Sequence, residues 1–326
     1  MNLAFEQICR ELGLGSLTAP PMPLSGGYMH RMYDVHTTQG RYAVKLLNPE
    51  VMQRTTAEEN YCRAESLEAL LEERGVPVLP ALVIGGKKRH CIAGQHLYVF
   101  DYFDGHPLQD GEITPVHCEK MGRALAQIHA CGQRPAAEEP SPRIHDWPRL
   151  TAGLLRHPES RHEGSCMHAA LHMLIRASRA ADLAEQELQR TEAICHNDLD
   201  SKNVLWQGDD FRIIDLECLG WADPQQELMD LAISWAGWPQ NGECFRAFLG
   251  AYMAAGGVVP ANAEALYDSR RNHLDWLAYN AVRALSEDLE ERRTGREQVL
   301  ETLEKLASDL KNREQIIAWF REVLGQ

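Results

Sequence analysis

The sequence predicts an α+β protein with two lobes: a small mixed lobe containing an antiparallel sheet, followed by a large, mainly helical lobe. Short runs of β-branched and aromatic residues near the N-terminus are separated by glycine turns, and one amphipathic helical stretch interrupts them. Helical spacing dominates the later part of the chain. At 326 residues the chain is long enough for two lobes, since single cores stop growing near roughly 250–300 residues. We therefore expect an N-terminal lobe at 1–104 and a C-terminal lobe at 105–326.

The small lobe follows from the order of these patterns. Leucines and isoleucines spaced among charges predict an opening helix, which three prolines between residues 20 and 23 end. Strands are predicted at 32–36 and 41–47, after the pair Gly26 and Gly27, and at 82–84 and 97–103. Between these two pairs of strands, apolar residues at helical spacing predict a helix over 56–74, with Gly75 as its stop. The linker to the next lobe is expected at Asp104 and Gly105.

The large lobe reads as helical, with two exceptions. A proline-rich stretch over 132–149 is predicted to be largely loop, and a strand pair is predicted near 194–215. A helix is predicted over 273–293, where acidic and aromatic residues share one stretch.

The composition excludes several kinds of partner. The 47 Asp and Glu residues against 33 Lys and Arg give a formal charge of −14, which repels nucleic acid and anionic membranes. There is no apolar run of 18 residues, and the nine cysteines are scattered without a C-x-x-C pair. We expect a cytoplasmic protein, monomeric or homodimeric, that takes a small-molecule partner.

Residues 194–217 carry the most specific chemical pattern, H-x-D-x-x-x-x-N followed by I-D. Phosphoryl transfer requires a carboxylate beside the attacking hydroxyl and oxygen ligands for magnesium. Asp198 fits the base, and Asn203 and Asp215 fit the metal ligands. The spacing of five residues lets one loop, the catalytic loop of residues 196–203, present Asp198 to the acceptor and Asn203 to the metal. A hairpin then brings Asp215 opposite. The pattern therefore predicts a kinase that uses Mg²⁺.

The pattern resembles that of the aminoglycoside phosphotransferase and choline kinase-like family, which has the fold of the protein kinases. The resemblance covers nearly the whole chain. The family's histidine, aspartate and asparagine match His196, Asp198 and Asn203, and its I-D-x-E signature matches residues 214–217. A later G-D-P and D-L-A pattern matches 222–224 and 230–232, with alanine in place of the glycine. His196 is expected to support the loop by hydrogen bonding. For Glu217 a functional role and a structural one, in which its carboxylate bonds loop amides, are both open.

The resemblance also implies how a nucleotide, ATP or GTP, would bind. Residues 24–35 resemble a shortened glycine loop that includes Gly26 and Gly27, and residues 43–45 resemble the strand that carries the phosphate-binding lysine. Lys45 would then hold the phosphates and pair with Glu65. Adenine would bind to backbone groups near Asp101 and Phe103.

The acceptor is open at this point. We expect a cationic molecule such as an aminoglycoside, bound between the catalytic loop and the predicted helix over 273–293. The residues assigned to this contact are Asp200, Asp275, Trp276, Glu287 and Glu291. The alternatives are an ordinary amphipathic helix with solvated acids, and, for Asp200, a cap of the catalytic loop. Choline, ethanolamine, thiamine, a sugar or a peptide antibiotic would use the same transfer groups, and a non-catalytic nucleotide-binding module is the competing class. A protein kinase is disfavoured, because no D-F-G or A-P-E element is present.

Overall fold

The computed structural model describes residues 2–24, 30–109, 111–136, 145–188, 190–237 and 241–326. The first helices and strands, in chain order, are α1 (Asn2–Glu11), β1 (Met22–Leu24), β2 (Arg31–His36), β3 (Arg41–Leu46), α2 (Pro49–Met52), α3 (Ala57–Glu73), β4 (His90–Ile92) and β5 (Gln95–Asp101). The later ones are α4 (Pro115–Ala130), β6 (Gln133–Pro135), α5 (Trp147–Arg156), α6 (Arg161–Glu187), β7 (Thr191–Cys195), β8 (Val204–Gln207), β9 (Asp210–Ile213), β10 (Gly220–Ala222), α7 (Pro224–Trp235), α8 (Gly242–Ala254), α9 (Ala263–Asp268), α10 (Asn272–Arg283) and α11 (Leu289–Leu324). Short 3₁₀ turns occupy Pro158–Ser160, Ser201–Asn203 and Leu216–Cys218.

The chain divides into two compact units. The first comprises Met1–Ile113, Gln127–Gly132 and Ile194–Ala222, and the second comprises Thr114–Ala126, Gln133–Ala193 and Asp223–Gln326. All of the residues predicted to transfer the phosphoryl group lie in the first unit. The predicted lobe boundary at residue 104 stays a prediction.

The first unit is built on a five-stranded antiparallel sheet with the order β1-β2-β3-β5-β4. In its centre, Val44 of β3 lies between Tyr33 of β2 and Val99 of β5. These residues form a buried cluster with Phe5 and Ile8 of α1. Because successive side chains of a strand point to opposite faces, Lys45 points away from this cluster.

A second part of the first unit carries the catalytic loop. Strands β8 and β9 form the predicted hairpin, and Gly208 adopts a left-handed backbone (φ 60°) in its turn. The amide of Ile213 donates to Pro77 O at 2.8 Å, and Ile213 O accepts from the amide of Leu79 at 2.8 Å. These bonds join the hairpin to the segment that precedes β4. They fix the position of the hairpin, which directly follows the catalytic loop.

The second unit is mainly helical. Helices α5, α6, α10 and α11 share one core, in which Trp147 is fully buried and its indole N–H donates to Ser178 Oγ at 2.8 Å. The other buried members of this core are Leu154, Met167, Leu174, Leu274, Leu277, Ala278, Ala281, Ala284, Val299 and Leu306. Within the described ranges, no helix combines the length and apolar character needed to cross a membrane.

The stretch 132–149, predicted to be largely loop, contains β6 and the start of α5 at Trp147. Two further predicted elements differ from the structure. Residues 82–84 form no strand: the amide of Leu82 donates to Val99 O, and Ile84 bridges to Lys87 across the turn between them. The helix predicted over 273–293 is two helices, because Asp288 caps α11 by accepting from the amides of Glu290 and Glu291 at 2.9 Å. The apolar and charged pattern continues across this break, so periodicity alone does not reveal it.

Candidate active site

Lys45 lies at the centre of a buried ionic cluster in the first unit. Its Nζ donates to Asp215 Oδ1 at 2.5 Å and to Glu217 Oε2 at 2.7 Å. Glu217 is also 3.1 Å from His30 Nε2 through its second oxygen. Burial alone would lower the pKa of Lys45, but the carboxylates of Glu217 and Asp215 raise it. The lysine therefore stays charged in a site that excludes most water.

The catalytic loop is held by four hydrogen bonds of two side chains, Asn203 and His196. Asn203 Nδ2 donates to both the carbonyl and the carboxylate Oδ2 of Asp198, at 2.7 and 2.8 Å. His196 Nδ1 accepts from the amide of Asp198 at 3.3 Å, and its Nε2 lies 3.1 Å from Ile214 O. As predicted, His196 supports the loop. Burial raises the pKa of the Asp198 carboxyl, an effect that Lys202 and Asn203 partly offset.

The backbone joins the loop to the second predicted metal ligand. The amide of Ile214 donates to Asn203 O at 2.9 Å, so Asp215 follows directly after a residue that is bonded to the loop. Asn197 and Asp215 both adopt left-handed backbone conformations, with φ of 64° and 62°. Such conformations are uncommon outside glycine and concentrate at functional sites. No sequence pattern revealed them, although asparagine and aspartate are the residues that tolerate this region best.

The predicted metal ligands are suited to a divalent cation. Asn203 commits its amide N–H groups to Asp198, which leaves Oδ1 as the atom that can face a cation. Asp215 adds carboxylate oxygen, and amide and carboxylate oxygens are the ligands that Mg²⁺ prefers.

In this structure Lys45 and Glu65 have other partners than each other. Glu65 accepts from the hydroxyl of Tyr98 at 2.7 Å and lies 3.6 Å from Arg89 Nε. Lys45 is instead neutralised by Asp215 and by Glu217. The signal in the sequence was the spacing of Asp215 and Glu217, because both carboxylates can serve one cation.

Of the glycine-loop and adenine-contact residues predicted to bind the nucleotide, the structure describes Asp101 and Phe103. Gly26 and Gly27 lie outside the described residues. Asp101 ends β5, and the Phe103 ring lies under the guanidinium of Arg212, 5.3 Å from its centroid. Gly105, at the predicted linker, lies so close to Phe103 that an added Cβ would be 2.5 Å from its ring.

Four of the residues predicted to bind the acceptor, Asp275, Trp276, Glu287 and Glu291, lie on α10, on α11 or just before α11. Trp276 and Tyr279 stack at 5.6 Å on α10 and are 44% and 45% exposed, and the indole N–H of Trp276 donates to Gln298 at 3.0 Å. Asp275 is bonded to His145 at 2.6 Å, and Glu291 forms a two-pronged ion pair with Arg283. Glu287 precedes α11 and is exposed. Of the three acids Asp275, Glu287 and Glu291, two are thus paired with a basic side chain, and the negative charge offered to an acceptor is smaller than the sequence predicted.

Asp200, the remaining residue predicted to bind the acceptor, lies in the catalytic loop of the first unit. Its side chain makes no capping bond to the 3₁₀ turn Ser201–Asn203, so the capping alternative is not what the structure has. One of its carboxylate oxygens lies 3.9 Å from Lys202 Nζ. Lys202, which sequence reasoning did not single out, also lies 3.0 Å from Asp198 Oδ1.

A family model described as the phosphotransferase enzyme family (APH) matches residues 22–273. The chain belongs to this family. The match includes the predicted glycine loop, the catalytic loop and Asp215, so the predictions of the family and of a phosphotransferase are confirmed. A search of curated proteins finds no significant match.

Solved structures of similar fold agree with this family. Spectinomycin phosphotransferase APH(9)-Ia, in complex with ADP and spectinomycin, has a TM-score of 0.72 and 15% identity, over 93% of this chain and 97% of that one. A choline/ethanolamine kinase family protein from Mesorhizobium loti has a TM-score of 0.60 and 18% identity, over 98% and 99%. The amicoumacin kinase hAmiN, in complex with AMP-PNP, Ca²⁺ and Ami, has a TM-score of 0.59 and 14% identity, over 91% and 92%. At these identities the likeness concerns the fold, and the predicted protein-kinase-like fold class is confirmed.

Proposed function

We propose that the protein transfers the γ-phosphoryl group of ATP or GTP to a hydroxyl of a small, cationic acceptor. The observation that carries this proposal is the hydrogen-bonded set of Asp198, Asn203 and Asp215 beside the buried ammonium of Lys45. Phosphoryl transfer depends on positioning and on cations around the phosphates, and these are the groups such a site needs.

Each residue has a separate task in this proposal. Asp198 accepts the proton of the acceptor hydroxyl as its oxygen attacks the terminal phosphorus. Asn203 and Asp215 would hold Mg²⁺, which when bound neutralises phosphate charge. Lys45 turns from Asp215 to the nucleotide phosphates, while Glu217 and His30 keep the lysine in place. Gly26, Gly27, Glu65, Asp101 and Phe103 remain candidates for nucleotide contacts.

The stacked pair Trp276 and Tyr279 supports the acceptor class. Its rings are half exposed, one is fixed by Gln298, and exposed aromatic faces bind ammonium groups with about 0.5–1 kcal/mol. Several similar structures are kinases of amine-bearing molecules, namely spectinomycin, choline or ethanolamine. An aminoglycoside is our first candidate. Because Asp275 and Glu291 are already paired, a singly charged amine of the choline type is the second.

An ADP-release screen tests the proposal. ATP and GTP would each be offered with aminoglycosides, choline-like amines and neutral sugars, with and without Mg²⁺. We expect metal-dependent release of nucleoside diphosphate that requires an amine-bearing acceptor. The Trp276→Ala variant should raise KM for that acceptor, whereas Trp319→Ala, a change on the α8-facing part of α11, should not. Release that no acceptor stimulates would contradict the kinase proposal, and preference for neutral sugars would contradict the acceptor class.

A further inference from the structure

Both oxygens of the Asp198 carboxylate have a partner on the same loop. Asn203 Nδ2 donates to Oδ2 at 2.8 Å, and Lys202 Nζ lies 3.0 Å from Oδ1. The two partners are consecutive residues of the 3₁₀ turn Ser201–Asn203. One bond would leave the carboxylate free to rotate about its Cβ–Cγ bond, whereas two bonds from different directions fix its plane.

The pairing of Lys202 with Asp198 contributes little to stability. The Lys202 side chain is 58% exposed, and exposed i,i+4 ion pairs stabilise proteins only weakly. Its ammonium lies among acids, since Asp200 Oδ2 is 3.9 Å away and Asp215 also contributes to its electrostatic environment. A cation that adds little to folding but contacts the predicted base is better explained by the reaction.

We propose that Lys202 is a positioning residue for the transfer, which holds Asp198 Oδ1 so that the carboxylate keeps one orientation toward the acceptor hydroxyl. The role of Asp198 as base comes from the proposed function, and the proposal rests on it. A fixed carboxylate favours the reaction because small errors in the placement of reacting groups lower rates strongly. The ammonium also offsets repulsion between Asp198 and the approaching phosphates.

Two substitutions of Lys202 separate the effect of its positive charge from the effect of its side-chain length. Lys202→Met removes the ammonium at similar length, and Lys202→Arg keeps a cation. We expect Lys202→Met to lower kcat by about 10- to 100-fold, with KM for nucleotide and calorimetric nucleotide affinity within about threefold of wild type. Lys202→Arg should recover most of the rate. Lys305→Met, in an exposed i,i+4 pair with Glu301 at 2.7 Å, is the matched control and should leave kcat unchanged.

Three outcomes of the solution measurements would overturn the proposal: a kcat of Lys202→Met within threefold of wild type, an equal loss in Lys202→Arg, or a loss accompanied by weaker nucleotide binding and a lower Tm. A crystal structure of ligand-free Lys202→Met tests the positioning without any acceptor. The Asp198 side chain should rotate or become disordered while Asn203 stays in place. An unchanged Asp198 would refute the proposal even if no acceptor were found, whereas a rotated Asp198 in a protein that phosphorylates nothing would contradict only the proposed function.

Discussion

Asp198 is held by its neighbours in a way that separates its proton-accepting role from metal binding. Asn203 donates to it through the amide nitrogen, so the amide oxygen remains for the cation. We therefore predict that Asp198→Asn lowers kcat by about 10²- to 10⁴-fold, because it removes the proton acceptor. Nucleotide affinity, measured by calorimetry with Mg²⁺, should change by less than about threefold.

The control for this prediction lies on the neighbouring hairpin. Asp210 pairs with Arg212 at 2.7 Å at the start of β9, and Asp210→Asn should keep the wild-type rate. If Asp198→Asn retained more than about a third of the wild-type kcat, another group would have to accept the proton.

Glu217 should make the stability of the protein depend on pH in the acid range. Burial alone would raise the pKa of its carboxyl, but the hydrogen bond from His30 and the Lys45 ammonium lower it to about 2. A carboxyl whose pKa is lower in the folded state stabilises it above the unfolded pKa of about 4.3, and this contribution is lost as the pH falls toward 2. We predict that Glu217→Gln lowers the free energy of unfolding by about 2–3 kcal/mol at pH 7 and by progressively less below pH 4.5.

Urea unfolding at pH 7, 5, 4 and 3 measures this difference. Glu304→Gln, at an exposed position of α11, is the control and should show no such trend. A difference between wild type and Glu217→Gln that stayed constant down to pH 3 would mean that the carboxylate is not stabilised by its neighbours.

At the scale of single residues, the sequence could predict which groups carry the chemistry but not how they pair. The positions of Asp198, Asn203 and Asp215 follow from spacing along one short segment, so a pattern is enough to find them. The partners of Lys45 are two carboxylates that lie 170 and 172 residues away in sequence. Local patterns hold no information on which of several acids in such distant segments comes closest.

The helices of the second unit approach one another at glycines, which makes pairs of Gly→Ala variants informative. A Cβ added at Gly122 of α4 would lie 2.1 Å from the carbonyl oxygen of Phe248 in α8, whereas Gly250 of α8 has nothing within 4 Å. We predict that Gly122→Ala destabilises the protein by about 1–3 kcal/mol, because two backbones must separate. Gly250→Ala should stabilise it by about 0.5–1 kcal/mol, because alanine restricts the unfolded chain.

Thermal or urea unfolding of both variants checks this prediction. Since the substitution is the same and both sites are helical, the difference between the two results isolates the effect of helix packing. Similar changes in both variants would show that α4 and α8 can move apart without cost.

Helices and strands were predictable where a local sequence pattern marks both their first and their last residues. Strands β2, β3, β8 and β9 and helix α3 agree with the sequence prediction, because glycine turns and period-two or helical repeats mark their limits. The segment 82–84 is apolar enough for a strand, but among the described residues its bond to β5 is the one made by the amide of Leu82. Pairing with another strand is a tertiary event, and β-propensity does not report it.

For the whole molecule, the formal charge of −14 has opposite consequences for the two substrates of the proposed reaction. A cationic acceptor is attracted to the protein and an anionic nucleotide is repelled, and salt screens both effects over about 10 Å at 0.1 M. We predict that raising NaCl from about 0.05 to 0.5 M increases the acceptor KM by about three- to tenfold. Nucleotide KM should rise much less, because screening also removes the repulsion that nucleotide meets.

The exposed carboxylate of Glu287, which precedes α11, gives this prediction a local test. Of the acids predicted to face the acceptor, Glu287 is exposed, while Asp275 and Glu291 have His145 and Arg283 as partners. Glu287→Gln should therefore raise the acceptor KM at low salt and reduce its salt dependence. Glu304→Gln removes the same charge about 25 Å farther along the chain direction of α11 and should have a smaller effect. Equal effects of the two variants would indicate that only the net charge attracts the acceptor, and an acceptor KM that responds to neither salt nor Glu287→Gln would exclude a cationic acceptor while leaving the kinase proposal intact.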